Sequence, residues 1–183
     1  MTRPARPHGP DAVRRALVEA AADVYAAGAP FSAREIARRA GVNHGQVHHL
    51  FGGRNGLLQA TLEHLAHRQV RALDGVTDPA TALRTAAQTA LHDPRFVRAL
   101  ARSLIERSAD DPVPQRDFPV VARLQAALDP THPAAADHLA EGLATALGFA
   151  LFGPWIAAAL GQDTDPMPAL ERQIQATVAL ESP

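Results

Sequence analysis

Apolar residues in the first part of the chain recur every three or four positions, which is the period of an amphipathic helix. The first such stripe lies within residues 11–27 and consists of Val13, Leu17, Ala20, Ala21, Val24 and Tyr25. Gly28 follows the stripe, and glycine adopts the left-handed conformation of a helix end at little cost. The pattern therefore predicts a first helix over residues 11–27.

A short helix is predicted next. Ser32 and Glu35 form the motif S-x-x-E, a capping box that satisfies the backbone amides of a first helical turn. The helix is expected over residues 33–40, with Ile36 on its buried face. Gly41 ends it.

A second short helix follows after a tight turn. Asn43 is a favourable N-cap residue, and the helix that it caps is expected over residues 44–50. Gly52 and Gly53 end this helix. Leucines at helical spacing then predict a fourth helix over residues 55–73.

The rest of the chain continues the helical pattern. Asp78-Pro79 and Asp93-Pro94 each place a capping residue before a proline at the first helical position. Gly153-Pro154 predicts a kink or a break in a long helix. The predicted helices here cover residues 79–92, 94–108, 118–128, 133–160 and 167–181. The fold class predicted is all-α, with about nine helices.

Composition supports this class. Alanine occurs 39 times and aromatic residues make up 4% of the chain, which favours helices over strands. Cysteine is absent, so disulfides and thiolate metal ligands are excluded. Residues 1–10 lack the apolar segment of a signal peptide, and we expect a cytoplasmic protein. Residues 139–160 are interrupted by glycine, proline and polar residues, and we expect a buried helix and no membrane partner.

Charge is distributed unevenly. Residues 1–71 hold 10 arginines against five acidic residues, whereas residues 72–183 hold eight against 14. This asymmetry predicts a nucleic-acid-binding head on an acidic body. Lysine is absent; a GC-rich genome explains this better than a preference for bidentate phosphate contacts does. Residues 1–10, basic and rich in proline, are expected to be a disordered arm.

The two short helices match a helix-turn-helix. Ala37 is small enough for the two helices to cross closely, and Gly41 allows the left-handed turn. Val42 and Val47 are expected to pack into the crossing. The exposed face of the second helix can then enter a major groove.

Several residues around this motif have the chemistry for contacts with double-stranded DNA. Gln46 can form paired hydrogen bonds with adenine, and Gly45 lets the backbone approach the DNA. Arg54 follows the second short helix and is expected to contact a phosphate. The predicted DNA-binding residues are Ser32, Arg34, Asn43, His44, Gly45, Gln46, His48, His49 and Arg54.

Residues 12–58 resemble the N-terminal DNA-binding domain of the TetR/AcrR family of transcriptional regulators. The residues that carry the resemblance are Ser32, Glu35, Ile36, Ala37, Ala40, Gly41, Val42, Gly45, His49, Phe51, Arg54, Leu57 and Leu58. The resemblance implies an all-α body that dimerises and usually binds a small effector. We therefore expect a helix-turn-helix domain over residues 11–54 and a helical ligand-binding and dimerisation domain over residues 55–183.

The chain departs from the family pattern where phosphates are bound. The family usually has a tyrosine at the position of His48 and a lysine near the position of His44, and both hold phosphates. A charged histidine binds phosphate better than a neutral one. DNA affinity is therefore expected to be lower than in the family, or to rise below about pH 6.5.

Metal binding and catalysis are the competing interpretations. His44 and His48 have the i, i+4 spacing of metal ligands, but no nearby carboxylate completes a site. His64 and His67 are expected on a solvated helix face. The chain contains no P-loop and none of the motifs G-x-G-x-x-G, H-E-x-x-H or G-x-S-x-G. We therefore expect neither an enzyme nor a metal or other cofactor.

Aromatic residues of the body are candidates for an effector pocket. The predicted lining residues are Phe96, Phe118, Arg123, Phe149, Phe152 and Trp155. Ordinary core and dimer interface are the alternatives for these side chains. The last two helices have broad apolar faces, which favour pairing across a two-fold axis.

The functional hypothesis is a homodimeric, one-component transcriptional regulator, and a repressor is favoured over an activator. Its head would bind a palindromic operator, and a small molecule in the body would release it. The alternative is a helical ligand-binding or protein-interaction module that no longer recognises DNA.

Overall fold

The computed structural model describes residues 7–29, 32–106, 118–128, 134–161 and 163–179. These residues form nine α-helices and no strand. The helices are α1 Pro10–Ala26, α2 Ala33–Arg39, α3 Gly45–Phe51, α4 Arg54–Arg71, α5 Pro79–His92, α6 Arg95–Glu106, α7 Pro119–Gln125, α8 Ala135–Leu160 and α9 Met167–Ala179. The predicted all-α class is confirmed. The first six residues of the predicted arm lie outside the described residues.

The described residues divide into two compact units. The head unit contains those up to Leu65 together with Arg98 to Glu106. The body unit contains Ala66 to Val97 and the described residues from Phe118 onwards. The division between the units thus falls within α4 and within α6. The sequence-based boundary after residue 54 stays a prediction.

The core of the head unit follows the predicted helical period. Every residue of the α1 stripe is buried except Val13, which is half-buried. Removal of this apolar surface from water is the main stabilising contribution, at about 25 cal/mol per Å². The most buried side chains of the first four helices include Leu17, Ala21, Val24, Ile36, Val47, Leu57 and Leu62.

The C-terminal part of α6 contributes a polar anchor to the head unit. Arg102 Nη1 donates a hydrogen bond to the carbonyl oxygen of Ala29 over 2.6 Å. The same guanidinium lies 5.6 Å from the centroid of the buried Tyr25 ring. This arrangement satisfies a carbonyl just after α1 and pairs a cation with an aromatic face.

Capping residues act largely as predicted. The Oγ of Ser32 accepts a hydrogen bond from the backbone N–H of Glu35 over 3.4 Å at the start of α2. Asp78 Oδ2 accepts from the backbone N–H of Thr81 over 2.8 Å at the start of α5. Helix α6 begins at Arg95, one residue later than predicted, and Asp93 forms an ion pair with the Arg95 side chain.

The body unit is built around α5, α8 and α9, which pack on one another. Arg84 on α5 joins Glu171 on α9, with 3.0 Å between Nε and Oε2. Among the described residues, small apolar clusters lie in its interior. They are formed by Leu73, Ala82, Leu124, Leu128 and Leu139, by Ala87, Ala146 and Leu170, and by Ala90, Val97 and Ala150.

Helix α8 differs from its prediction in two ways. It runs without interruption through Pro154, so the predicted break is absent between Ala135 and Leu160. It is also only partly buried: 11% of its most apolar 18-residue window is fully buried, its inner side contributes Leu139, Ala146 and Ala150 to the body core, and its C-terminal part is largely exposed, so the expectation of a buried helix holds for one side only of the helix in the single chain. By length and composition the helix could cross a membrane, but one such helix is weak support for that role.

Candidate nucleic-acid interface

The turn between α2 and α3 has the backbone geometry that the glycine predicted. Gly41 has a φ of +70°, in the left-handed region. Its N–H bonds to the Arg38 carbonyl over 3.2 Å, and the N–H of Val42 bonds to the Ala37 carbonyl over 3.0 Å. These two bonds form a Schellman motif, which satisfies the last carbonyls of α2 and turns the chain sharply.

Helix α3 is oriented by one cap and one buried side chain. The Oδ1 of Asn43 accepts a hydrogen bond from the backbone N–H of Gly45 over 2.9 Å, although α3 begins one residue later than predicted and the N-cap position falls on His44. Val47 is 1% exposed and packs inside the head unit. Because Val47 sets the inner face of α3, the residues on its opposite face point to solvent.

That outer face carries most of the predicted DNA-binding side chains. His44, His48 and His49 are exposed, whereas Gln46 is half-buried. The ring of His48 lies beside the turn after α3, where a Cβ built on Gly53 would be 3.5 Å from its Cε1. The face is therefore polar and accessible, as binding in a DNA groove requires.

Other predicted contacts lie at the starts of neighbouring helices. Ser32 and Arg34 are exposed at the start of α2, and Arg54 is exposed at the start of α4. All three belong to the same head unit as α3. The free amides of helix N-termini attract phosphates, so these positions suit contacts to the DNA backbone.

A groove of about 1320 Å³ runs beside the turn in the head unit. Asn43, Gln46 and His49 line it together with residues of α1. It also contains charges of both signs, from Arg38, Arg39, Glu19 and Asp23. The structure thus places three predicted DNA-binding residues on one continuous surface.

The arginines at the end of α2 are held by a single carboxylate. Arg38 donates to Glu35 through Nε and Nη2, each over 2.7 Å, and Arg39 Nε donates over 2.9 Å. These hydrogen bonds, first from Arg38 and then from Arg39, lower the pKa of Glu35 to about 2. Glu35 therefore organises two guanidinium groups beside the turn.

Two residues outside the predicted set, Arg14 on α1 and Gly56 on α4, lie against the end of α3. The Nη1 of Arg14, on α1, donates to the Leu50 carbonyl over 3.0 Å, and its guanidinium lies 4.6 Å from the centroid of the Phe51 ring. A Cβ built on Gly56 would lie 1.9 Å from the Phe51 carbonyl oxygen. Neither contact has a signal in the sequence, because each joins residues that only the folded chain brings together.

The predicted role of His64 is wrong. Its Nε2 lies 3.0 Å from Glu19 Oε1 on α1, and 29% of its side chain is exposed, so it faces α1 and not open solvent. His67 is exposed, as expected. Within the described ranges, no group of three or more histidine, aspartate or glutamate side chains could hold a metal ion.

The predicted pocket residues have different environments in the body unit. Phe96 packs against the cluster of Ala90, Val97 and Ala150, and Arg123 donates to the Val76 carbonyl. Phe149 is half-buried, whereas Phe118, Phe152 and Trp155 are 50%, 59% and 69% exposed. Their role in an effector pocket stays a prediction.

Known proteins with similar sequences are transcriptional regulators. Residues 17–61 match the family model of bacterial regulatory proteins, tetR family. An HTH-type transcriptional repressor of Mycobacterium tuberculosis is 36% identical over 172 residues, covering 88% of this chain and 87% of the repressor. An HTH-type transcriptional regulator of Mycobacterium bovis matches to the same extent.

A solved structure gives the same result. A transcriptional regulator of Rhodococcus sp. Rha1 has a TM-score of 0.60 and 26% identity, covering 94% of this chain and 97% of that chain.

The fold and the exposed face of α3 define a helix-turn-helix DNA-binding protein, a transcriptional regulator. The chain belongs to the TetR family of bacterial regulatory proteins. The resemblance of its N-terminal residues to this family is thereby confirmed.

Proposed function

We propose that this protein is a cytoplasmic, homodimeric repressor that binds a palindromic operator and is released from it by a small molecule. The observation that carries the proposal is the orientation of α3, whose apolar Val47 is buried while its polar face is exposed. The similar repressor of Mycobacterium tuberculosis supports the choice of repression. The protein would act by binding and not by catalysis.

The proposed DNA contacts divide by chemistry. Gln46 and His49 on α3 would contact base edges in the major groove, and Gln46 would form paired hydrogen bonds with adenine. Ser32, Arg34 and Arg54 would contact phosphates and fix the register of the head on the duplex. Asn43 and Gly45 would form the cap that holds the start of α3 against the DNA.

The proposed dimer uses the exposed apolar face of α8. Phe152, Trp155 and Leu160 are each 59–69% exposed in the single chain, and they recur on one helix. A contiguous apolar face of this kind is costly in water and is characteristic of an interface between subunits. Two-fold symmetry would give the dimer two copies of α3, which matches two half-sites about 34–36 Å apart on DNA.

Release by an effector requires a coupling between two sites. A small molecule would weaken DNA binding only if it binds better to the conformation that cannot engage both half-sites. A tenfold loss of operator affinity requires about 1.4 kcal/mol of coupling. The body unit, in which the aromatic side chains of Phe96 and Phe149 are half-buried, is the proposed location of the effector.

The test is selection of genomic fragments on the purified protein, followed by titration of the selected duplexes by fluorescence anisotropy across a salt series. We expect a palindromic site bound with nanomolar affinity and a log–log salt slope that corresponds to several phosphate contacts. Uniformly weak binding to all sequences, lost by about 150 mM salt, would contradict the proposal. It would instead favour a helical ligand-binding or protein-interaction module.

Substitution of two glutamines tests whether Gln46 makes the proposed contact with a base. Gln46→Ala is expected to lower operator affinity by about 1–3 kcal/mol and to relax the preference at one A·T pair. Gln88→Ala, at an exposed position on α5 of the body unit, is the matched control and should leave both unchanged. Equal effects of the two variants would remove Gln46 from the base-contacting set.

A further inference from the structure

Arg14 belongs to α1, but its guanidinium contacts the last turn of α3. Nη1 donates to the carbonyl oxygen of Leu50 over 3.0 Å. The same group stacks on the ring of Phe51, with 4.6 Å from its Cζ to the ring centroid. The last carbonyls of a helix lack partners within the helix and carry partial negative charge. A cation that donates to one of them therefore stabilises this end of α3.

Helix α3 needs such contacts because it is short. It has seven residues, and Val47 is its only fully buried side chain among the described residues. An isolated helix shorter than about 12 residues is marginal in water, so tertiary contacts must fix its geometry. Val47 holds the centre of α3 to the core, and the side chain of Asn43 bonds to the backbone N–H of its first residue. Arg14 supplies the contact at its end.

We infer that Arg14 is a positioning residue for operator recognition, which sets the angle of α3 without contacting DNA. The inference rests on the proposed role of α3 in base recognition. Base contacts are sensitive to this angle because hydrogen bonds to base edges weaken steeply when their geometry is displaced. Phosphate contacts from long side chains tolerate such a displacement better, so Arg14 should affect discrimination between sequences more than total affinity.

The contact requires a guanidinium in particular. Its planar group donates in its plane to Leu50 while its face lies over Phe51, and an ammonium cannot combine these two contacts in the same way. Arg14→Lys keeps the charge and Arg14→Gln removes it. A positioning role therefore predicts that both variants are impaired, whereas a role as a phosphate contact predicts that lysine substitutes for arginine.

The experiment compares Arg14→Gln, Arg14→Lys and Arg15→Gln. Arg15 is the adjacent, exposed residue of α1, so its variant removes an equal charge and is the matched control. Each folded protein is titrated with the selected operator and with an unrelated duplex across a salt series. Both Arg14 variants should lose about tenfold in the ratio of operator to unrelated binding, with the salt slope of Arg14→Lys unchanged. Arg15→Gln should keep the wild-type ratio.

Parallel weakening of both duplexes by Arg14→Gln, with a salt slope lower by about 0.9 and rescue by lysine, would identify a phosphate contact and overturn the inference. A second measurement needs no DNA. Hydrogen exchange of the backbone amides of Val47 to Phe51 should accelerate in Arg14→Gln and not in Arg15→Gln. Unchanged exchange would overturn the inference even if no operator is found, so its failure is distinguishable from failure of the proposed DNA recognition.

Discussion

At the scale of single residues, the structure assigns Glu35 a partnership that its place in a capping motif does not indicate. The sequence motif pairs Glu35 with Ser32, and the backbone of Glu35 does bond to the Ser32 hydroxyl. Its carboxylate, however, accepts three hydrogen bonds from Arg38 and Arg39. An ionised carboxylate forms stronger hydrogen bonds with guanidinium groups than with neutral amides, which explains the choice of partners.

These bonds predict a pH dependence. The pKa of Glu35 is lowered from 4.5 to about 2 by the hydrogen bonds from Arg38 and Arg39. The pKa of Glu35 is lower in the folded state than in the unfolded state. The stabilisation that the ionised carboxylate gives to the folded state is therefore fully present above about pH 4.5 and is lost as the pH falls towards 2. NMR titration of the Glu35 carboxyl carbon should therefore have its midpoint near 2. A midpoint near 4.5 would show that the arginines do not hold this carboxylate in solution.

His44 gives a second prediction at this scale. It occupies a place where the family usually has a phosphate-binding lysine, and it is exposed at the start of α3. His44→Lys should raise affinity for DNA and make the log–log salt slope steeper by about 0.9, since one more phosphate is neutralised. Anisotropy titrations over a salt series measure both quantities.

His67→Lys is the control for His44→Lys, because it adds the same charge on the exposed side of α4. It should change the slope less than His44→Lys does. Equal slopes for the two variants would indicate a general effect of net charge and would place His44 away from the phosphates.

At the scale of elements, the ends of α3 are determined by backbone geometry. Gly41 before the helix and Gly52 after it both have a φ of +70°, a backbone angle that residues other than glycine rarely adopt. Gly56 has a different requirement. It lies within α4, where a Cβ would meet the carbonyl oxygen of Phe51 at 1.9 Å. Its missing side chain therefore permits the close approach of α4 to the end of α3.

Gly56→Ala is expected to destabilise the head unit by about 1–3 kcal/mol, because a backbone atom must move to make room for the methyl group. In an unconstrained helix the same change stabilises by about 0.5–1 kcal/mol. Gly142→Ala on α8 is the control, since its Cβ would make an ordinary contact with Gln173 at 3.6 Å. Urea denaturation of both variants measures the difference. Similar stabilisation of both would show that the approach of α4 to Phe51 is looser than the structure indicates.

At the scale of the whole molecule, the apolar face of α8 is exposed to water. This exposure is unfavourable in free energy, and contacts within a single chain do not explain it. Its aromatic side chains Phe152 and Trp155 face solvent although the helix is the most apolar of the described part of the chain. Burial of a large aromatic side chain removes 150–250 Å² from water, at about 25 cal/mol per Å². A second copy of the chain is the partner that we propose for this face.

Trp155→Glu is expected to convert the dimer into a monomer, because it would place a charge within the proposed apolar interface. Light scattering at micromolar concentration measures the mass, and operator binding should weaken together with dimerisation. Ile105→Glu is the control, since Ile105 is 83% exposed but lies on α6 in the head unit. A wild-type protein that is already monomeric, or a Trp155→Glu protein that stays dimeric, would move the interface away from this face.

The nine helices of the described residues and the helix-turn-helix could be predicted from the amino-acid sequence, because the signals for both are local. Capping side chains such as Ser32 and Asp78 act within three residues of their own position, and Gly41 decides the turn through its own φ. The apolar period of α1 likewise predicts which face is buried, since any core that covers the helix must lie on that side.

Which distant residues meet, and which apolar surfaces are covered, depends on tertiary packing that local signals do not encode. Arg14 reaches Leu50 across 36 positions of sequence, and His64 finds Glu19 on another helix. Arg14 and Arg15 are the same residue type side by side, and nothing local indicates which one contacts α3. The apolar composition of α8 predicted burial, but burial depends on what packs against a helix, and in one chain Phe152, Trp155 and Leu160 of α8 face solvent.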